Sequence, residues 1–149
     1  MKVIAVNKKA LFDYEIQEII EAGIVLCGDE VKSIRQGKVS LIGAFATIHA
    51  GELFLINCNI TVYSHAYTKS EELARQRRKL LLHKKQLMRL IGDMSRKGVV
   101  LVPLKLYFTE KNKVKVQIGL GKHKKMSEKK EILKERDIKR ETLRSLKGF

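Results

Sequence analysis

Between Gly98 and Gly121 the chain alternates apolar and polar residues twice around a polar break, and this pattern narrows the fold more than any other. Val100, Val102, Leu104, Leu106 and Phe108 fall on one side of an extended strand, and Val114, Val116, Ile118 and Leu120 repeat the arrangement. A period of two sends one set of side chains to a core and the other to water, which a helix of period 3.6 cannot do. The segment is expected to be a β-hairpin with Lys113, Lys115 and Gln117 on its wet face. Pro103 lacks the N–H a ladder needs, so it belongs at an edge or a bulge. Ala44 to His49 and Leu53 to Asn57 suggest a second hairpin, turning across Ala50-Gly51-Glu52.

Elsewhere the pattern is less one-sided. Phe12 to Leu26 fits strand alternation through Tyr14, Ile16 and Ile20, yet Ile16, Ile19 and Ile20 also fit helical spacing. Asp29 to Gln36 reads as a short helix with Val31 and Ile34 on one face and Gly37 as its stop. Ser70 to Arg96 reads as one long helix, capped by Ser70 with Glu71 and Glu72 in its first turn. At about 100° per residue, Leu73, Leu80, Leu87, Ile91 and Met94 form its apolar stripe, bordered by Leu90. Arg75, Arg78, Lys79, Lys85 and Arg89 gather opposite, with Leu82 among them and Leu81 beside Met88. Two readings stand for that basic face: a solvated surface with stray leucines, or an RNA-facing surface where cations hold phosphates and Leu81 packs on an unstacked base.

Charge sets the partner class. The 149 residues carry 31 Lys plus Arg against 16 Asp plus Glu, a net +15, which implies an anionic partner, with nucleic acid favoured. Residues 111–149 hold 14 basic and 5 acidic groups, so the last quarter is the most cationic. From Met126 onward the chain is dense in Lys, Glu and Arg with little to bury, and is expected to be a tail (126–149) disordered alone and helical on its partner, following a single folded domain over 1–125.

Several classes fall away. No apolar stretch approaches the roughly 18–20 residues of a membrane span, and Val3 to Val6 is too short for a secretory leader. Cys27 and Cys58 read as buried thiols of a reducing cytosol, with a disulfide between them as the alternative. His49, His65, His83 and His123 have no metal-type spacing and the acids form no recurrent pair, so neither a metal site, a cofactor nor an enzyme is expected. Gly119-Leu120-Gly121 lacks the third glycine of a dinucleotide fingerprint.

The chain resembles the SmpB family, bacterial partners of transfer-messenger RNA (tmRNA). The resemblance spans nearly its whole length. It rests on Asn7-Lys8-Lys9-Ala10, Phe12-Asp13-Tyr14-Glu15-Ile16, Glu21-Ala22-Gly23-Ile24, the run Gly28 to Arg35, Gly37-Lys38, Asn59-Ile60, Arg78-Lys79-Leu80-Leu81-Leu82 and Lys113 to Gly119. The resemblance implies a mainly β fold with helices, an OB-like six-stranded antiparallel β-barrel followed by the basic tail, and it makes the Phe12 segment a strand. It further implies that Asn7, Glu21 and Leu81 contact the tRNA-like domain of tmRNA, beside the cations Arg75, Arg78, Lys79, Lys85 and Arg89. Asn7 offers both donor and acceptor to a base edge, whereas an ionised Glu21 only accepts. Taken without the resemblance, Asn7 reads as a turn residue and Glu21 as a surface acid.

The tail resembles the family tail that turns helical in the ribosome's empty mRNA channel. Lys122, Lys124, Lys125, Lys129, Lys130, Lys134, Arg136, Lys139 and Arg140 are its candidate contacts to 16S rRNA and the decoding centre. Ile132-Leu133-Lys134-Glu135-Arg136-Asp137 matches a family block with conservative changes. Departures are His123 for a usual Gly, Glu128 within the basic run, Leu73-Ala74 for a usual Asp-Pro, and Ser127 where some members carry a His that would stack. The implied function is delivery of tmRNA to stalled ribosomes, with EF-Tu and alanyl-tRNA synthetase met only through tmRNA. The competing reading is a structural or nonspecific RNA-binding ribosomal protein.

Overall fold

Asn7 ends the first strand and starts the first helix. Between β1 (Lys2–Val6) and α1 (Lys8–Asp13), its Oδ1 accepts from the Ala10 N–H at 3.1 Å, which satisfies a donor the helix start leaves unpaired. This is a computed structural model; it describes residues 1–62, 71–124, 130, 133–136 and 138, with backbone alone at 71, 72, 96 and 97. β2 (Tyr14–Ile24) follows α1 directly, so the strand implied by the resemblance is present and begins two residues after Phe12. α2 (Gly28–Arg35) is the expected short helix, and Gly37 beyond it has φ 74°. β3 (Val39–Ser40) leads into the hairpin of β4 (Phe45–His49) and β5 (Glu52–Ile56). Its turn residues Ala50 and Gly51 both have positive φ, the geometry that suits two twisted strands. β6 (Asn59–Ile60) pairs with β3.

The long helix expected over Ser70 to Arg96 is replaced by three elements: α3 (Glu71–Ala74), β7 (Arg78–Leu81) and α4 (Lys84–Lys97). Ser70 lies outside the described residues. The reason is tertiary. Leu53 to Leu55 of β5 and Gly23 with Ile24 of β2 each leave an edge of backbone donors and acceptors, and β7 pairs with both. Sheet closure satisfies more backbone groups than continuing a helix through Arg78 to Leu81.

β8 (Val100–Phe108) and β9 (Val114–His123) form the expected hairpin. The main sheet runs β1-β8-β4-β5-β7-β2-β9, and the β8–β9 pairing closes it, so six strands make an antiparallel ring with β1 alongside β8. This is the OB-like barrel. Ile20, Leu53, Leu55, Leu80, Leu101, Leu106, Val116 and Ile118 fill it, while Ile34 and Leu90 bring α2 and α4 onto the same core.

β8 is buried on both sides, unlike the half-wet strand its alternation suggested. Its register slips between Pro103 and Lys105, so of the two places expected for Pro103, an edge or a bulge, the structure shows the bulge. Leu101 and Leu106 face the main core, but Val102 and Leu104 pack with Ala10 of α1 in a second cluster. β9 approaches β2 so closely that a Cβ on Gly121 would lie 2.5 Å from the Glu15 carbonyl oxygen. Only glycine fits there. Of the expected tail over 126–149, residues 130, 133–136 and 138 have helical backbone and the others lie outside the described residues.

Candidate nucleic-acid interface

Strand alternation determines which side chains leave the barrel. Along β7, Arg78 and Leu80 point in while Lys79 and Leu81 point out. Leu81 is 50% exposed although it sits in the middle of the sheet, because its cross-strand neighbour on β2 is Gly23, which has no side chain to cover it. Lys115 lies across β2 from Leu81, opposite Gly23 in β9. Two residues back along β2, Glu21 is exposed and opposite Gln117, which itself faces Lys105 of β8. Two expected contact residues, Glu21 and Leu81, therefore share one outward face with two lysines between and beside them.

Glu21 is not free to swing. The Tyr107 hydroxyl of β8 donates to its carboxylate. Burial, and then this contact with an anionic oxygen, push the Tyr107 phenol far above its ordinary value, so it stays a donor. Tyr107, Lys105, Lys115 and Gln117 thus belong to the face. Alternation already put Lys115 and Gln117 on the wet side; no local signal linked Tyr107 to Glu21, 86 residues earlier.

Asn7 is placed differently from its expected role. It is 2% exposed, and both donor hydrogens of its amide are used, to Leu41 O at 3.1 Å and Pro103 O at 3.0 Å. Its backbone N–H donates to Leu104 O at 2.7 Å. A bulge interrupts the ladder, and Asn7 supplies donors to two carbonyls there. With Oδ1 accepting from Ala10, the amide is turned inward in the free chain and offers no group to solvent. Asn7 follows Val6, which ends the row Glu21–Gln117–Lys105–Val6. It anchors the strand end on which that row terminates.

Arg78 is also turned inward. It is 2% exposed and forms a salt bridge with Glu30, while Nη1 donates to Cys58 O at 2.7 Å and Nη2 to Leu73 O and Ala74 O at 3.3 and 3.0 Å. Its fork satisfies the C-terminal carbonyls of α3 and ties them to α2. Partial burial alone would push the Glu30 carboxyl up; the Cys27 N–H and the Arg78 guanidinium outweigh it and hold the group below its ordinary value. In the free chain the guanidinium is engaged by these protein partners.

The other expected cations are at the surface. Arg75, Lys79, Lys85 and Arg89 are all exposed. Lys79 pairs with Glu52 at 3.1 Å, and Arg89 of α4 pairs with Glu18 of β2. Lys85 and Arg89 are four apart on α4 and share its outer side, with Leu90 buried beneath. In the tail set, Lys122 is exposed at the end of β9, and Lys124 is bound to α1: its N–H donates to Asp13 O at 2.9 Å and its Nζ to Leu11 O at 3.2 Å. That lysine caps a helix C-terminus. Lys130, Lys134 and Arg136 are exposed on helical backbone, with the Arg136 guanidinium 5.5 Å from the Phe12 ring centre. Lys125, Lys129, Lys139 and Arg140 lie outside the described residues.

Among the described residues no group of His, Cys, Asp and Glu has the geometry to hold a metal ion, and no helix is long and apolar enough to cross a membrane. Cys27 is exposed and Cys58 buried, both as free thiols, which corrects the expected burial of Cys27.

The sequence is 51% identical over 146 residues to an SsrA-binding protein of Rickettsia canadensis (strain McKiel), covering 98% of this chain and 95% of that one. It is 46% identical over 149 residues to an SsrA-binding protein of Helicobacter hepaticus (strain ATCC 51449 / 3B1), covering 100% and 96%. The fold is similar to a solved chain described as "tmRNA-SmpB: a journey to the center of the bacterial ribosome", with TM-score 0.68, 48% identity and coverage of 85% of this chain and 87% of that one. The family model for SmpB protein matches residues 4–148, and with these relatives the chain belongs to the SmpB family.

Proposed function

We propose that this chain binds the tRNA-like domain of tmRNA (SsrA) in the cytoplasm and delivers it to stalled ribosomes for trans-translation. The observation that carries the reading is the outward patch around Gly23: a half-exposed Leu81, a Glu21 held by Tyr107, and Lys115 and Lys105 beside them, on a chain of net charge +15. Its relatives carry the name SsrA-binding protein, and a chain of similar fold was solved with tmRNA as its stated subject. Lysines and arginines attract phosphate without regard to sequence; a fixed carboxylate and an uncovered leucine need a matching base edge and an unstacked base face. The two together favour one folded RNA over many.

In this reading the work is binding without covalent chemistry, and no cofactor or membrane enters it. The basic tail, with Lys130, Lys134 and Arg136 exposed, enters a vacant mRNA channel and meets 16S rRNA near the decoding centre. An occupied channel leaves no room for its helix. EF-Tu and alanyl-tRNA synthetase act on the complex through tmRNA.

Competition at physiological salt tests the reading: tmRNA is expected to bind more tightly than transfer RNA, and both more tightly than an unrelated duplex. Equal affinity for all three would replace it with a general ribosomal RNA-binding role. Affinity is expected to fall steeply with salt as phosphate contacts release counterions. Truncation after Met126 is expected to keep tmRNA affinity and abolish tagging of stalled chains, and parallel loss of both would overturn the division between barrel and tail.

A further inference from the structure

Phe54 lies on the outward side of β5, since Leu53 and Leu55 on either side of it are buried in the core. Its register partners are Thr47 on β4 and Lys79 on β7, which puts the ring at the centre of a three-stranded face. The Arg77 guanidinium carbon stands 4.2 Å from the centre of that ring. A flat cation at this distance lies against one face of the ring, and the Arg77 side chain is itself exposed. Arg77 is exposed and forms no salt bridge among the described residues, and the nearby Glu52 is already taken by Lys79 at 3.1 Å. Among the described residues no carboxylate is paired with this charge.

We propose that Arg77 stacked on Phe54 is a platform for an unpaired RNA base, a contact separate from the Glu21–Leu81 patch. The proposal rests on the RNA-binding reading above. Arg77 precedes Leu81 by four residues of extended chain, at most about 14 Å, and Lys79 between them points to the same side. One RNA reaches both. A guanidinium plane offers stacking to any base and two N–H groups to its phosphate or its edge, and an aromatic ring behind it fixes the plane before the RNA arrives. A double helix hides the faces of its bases, so the platform selects single-stranded segments, loops or bulges.

Binding is measured with full-length chain against tmRNA, and against a short unstructured RNA oligonucleotide beside a duplex of the same sequence. Arg77→Ala and Phe54→Leu are each expected to weaken tmRNA about tenfold, and the double variant to lose little more than either alone, because both remove one stack. Arg77→Lys restores the salt slope but not the affinity, and Phe54→Tyr, which keeps the ring, stays near the wild type. Recovery of full affinity by Arg77→Lys would reduce the site to a point charge on a phosphate. Singles within about twofold of wild type, with thermal melts showing them folded, would make the stack merely structural. If Phe54→Leu does not fold, the two Arg77 variants decide. Failure of the wild type to prefer tmRNA over transfer RNA would strike the functional reading alone, since the oligonucleotide arm still reports the platform: preference for single strand over duplex in the wild type, and its loss in Arg77→Ala.

Discussion

The Tyr107 hydroxyl donates to the Glu21 carboxylate across the outer face of the barrel, joining β8 to β2 over the intervening β9. Tyr107 is 5% exposed, and burial, then Glu21, raise its pKa far above the usual value near 10. A group whose pKa is raised on folding stabilises the native state below its unfolded value, and that stability is lost as pH rises past about 10. Alkaline titration of native protein followed at the tyrosinate absorbance is expected to show a late step that disappears in Tyr107→Phe. The same variant should retain the fold, cost about 0.5–1.5 kcal/mol, and weaken tmRNA binding by releasing Glu21. Unchanged titration would mean the hydroxyl does not hold that carboxylate.

Arg78→Ala is expected to destabilise the chain by about 3–5 kcal/mol in urea melts, since it strands the Glu30 carboxylate and three carbonyls in a closed site. Glu30 has its pKa lowered on folding from 4.5, so its contribution is present above that value and lost as pH falls below it. Glu30→Gln should therefore flatten the acid limb of the stability curve. Any loss of RNA affinity in Arg78→Ala should follow the unfolded fraction.

Asn7→Ala is predicted to act through the same currency of stability. It removes the α1 cap and the bridge from Nδ2 to Leu41 and Pro103, for roughly 1–3 kcal/mol. Under conditions where the variant is fully folded, tmRNA affinity should return to within a few fold of wild type. A large deficit in fully folded Asn7→Ala would restore a direct contact for this residue.

Leu81→Ala should do the opposite. A side chain half in water is worth little to the fold, so stability should change by no more than about 0.5 kcal/mol. RNA affinity should fall while its salt slope stays constant, because packing is removed and no charge.

Cys58 is fully buried, and burial pushes its thiol up to about 11, whereas Cys27 is exposed. A thiol reagent at neutral pH should label Cys27 in the native protein and reach Cys58 only on unfolding. Labelling of both at equal rates would contradict the packing around Arg78.

What the sequence determined alone were the elements whose pattern is local and unambiguous. The β8–β9 hairpin, the turn at Ala50 and Gly51, the helix stopped before Gly37 and the exclusion of Pro103 from a regular inner ladder all follow from period, turn chemistry and a missing N–H. The net charge announced an anionic partner, and the family resemblance carried the barrel. Tertiary structure decided the rest, because the deciding interactions join residues far apart in the chain. Arg78 to Leu81 is a strand because β5 and β2 needed a partner between them, which turned Arg78 inward and left Lys79 and Leu81 outside. Asn7 became an internal anchor because a bulge 96 residues away presented its carbonyls. The outward face is assembled from alternate residues of separate strands, so no contiguous stretch of sequence contains it.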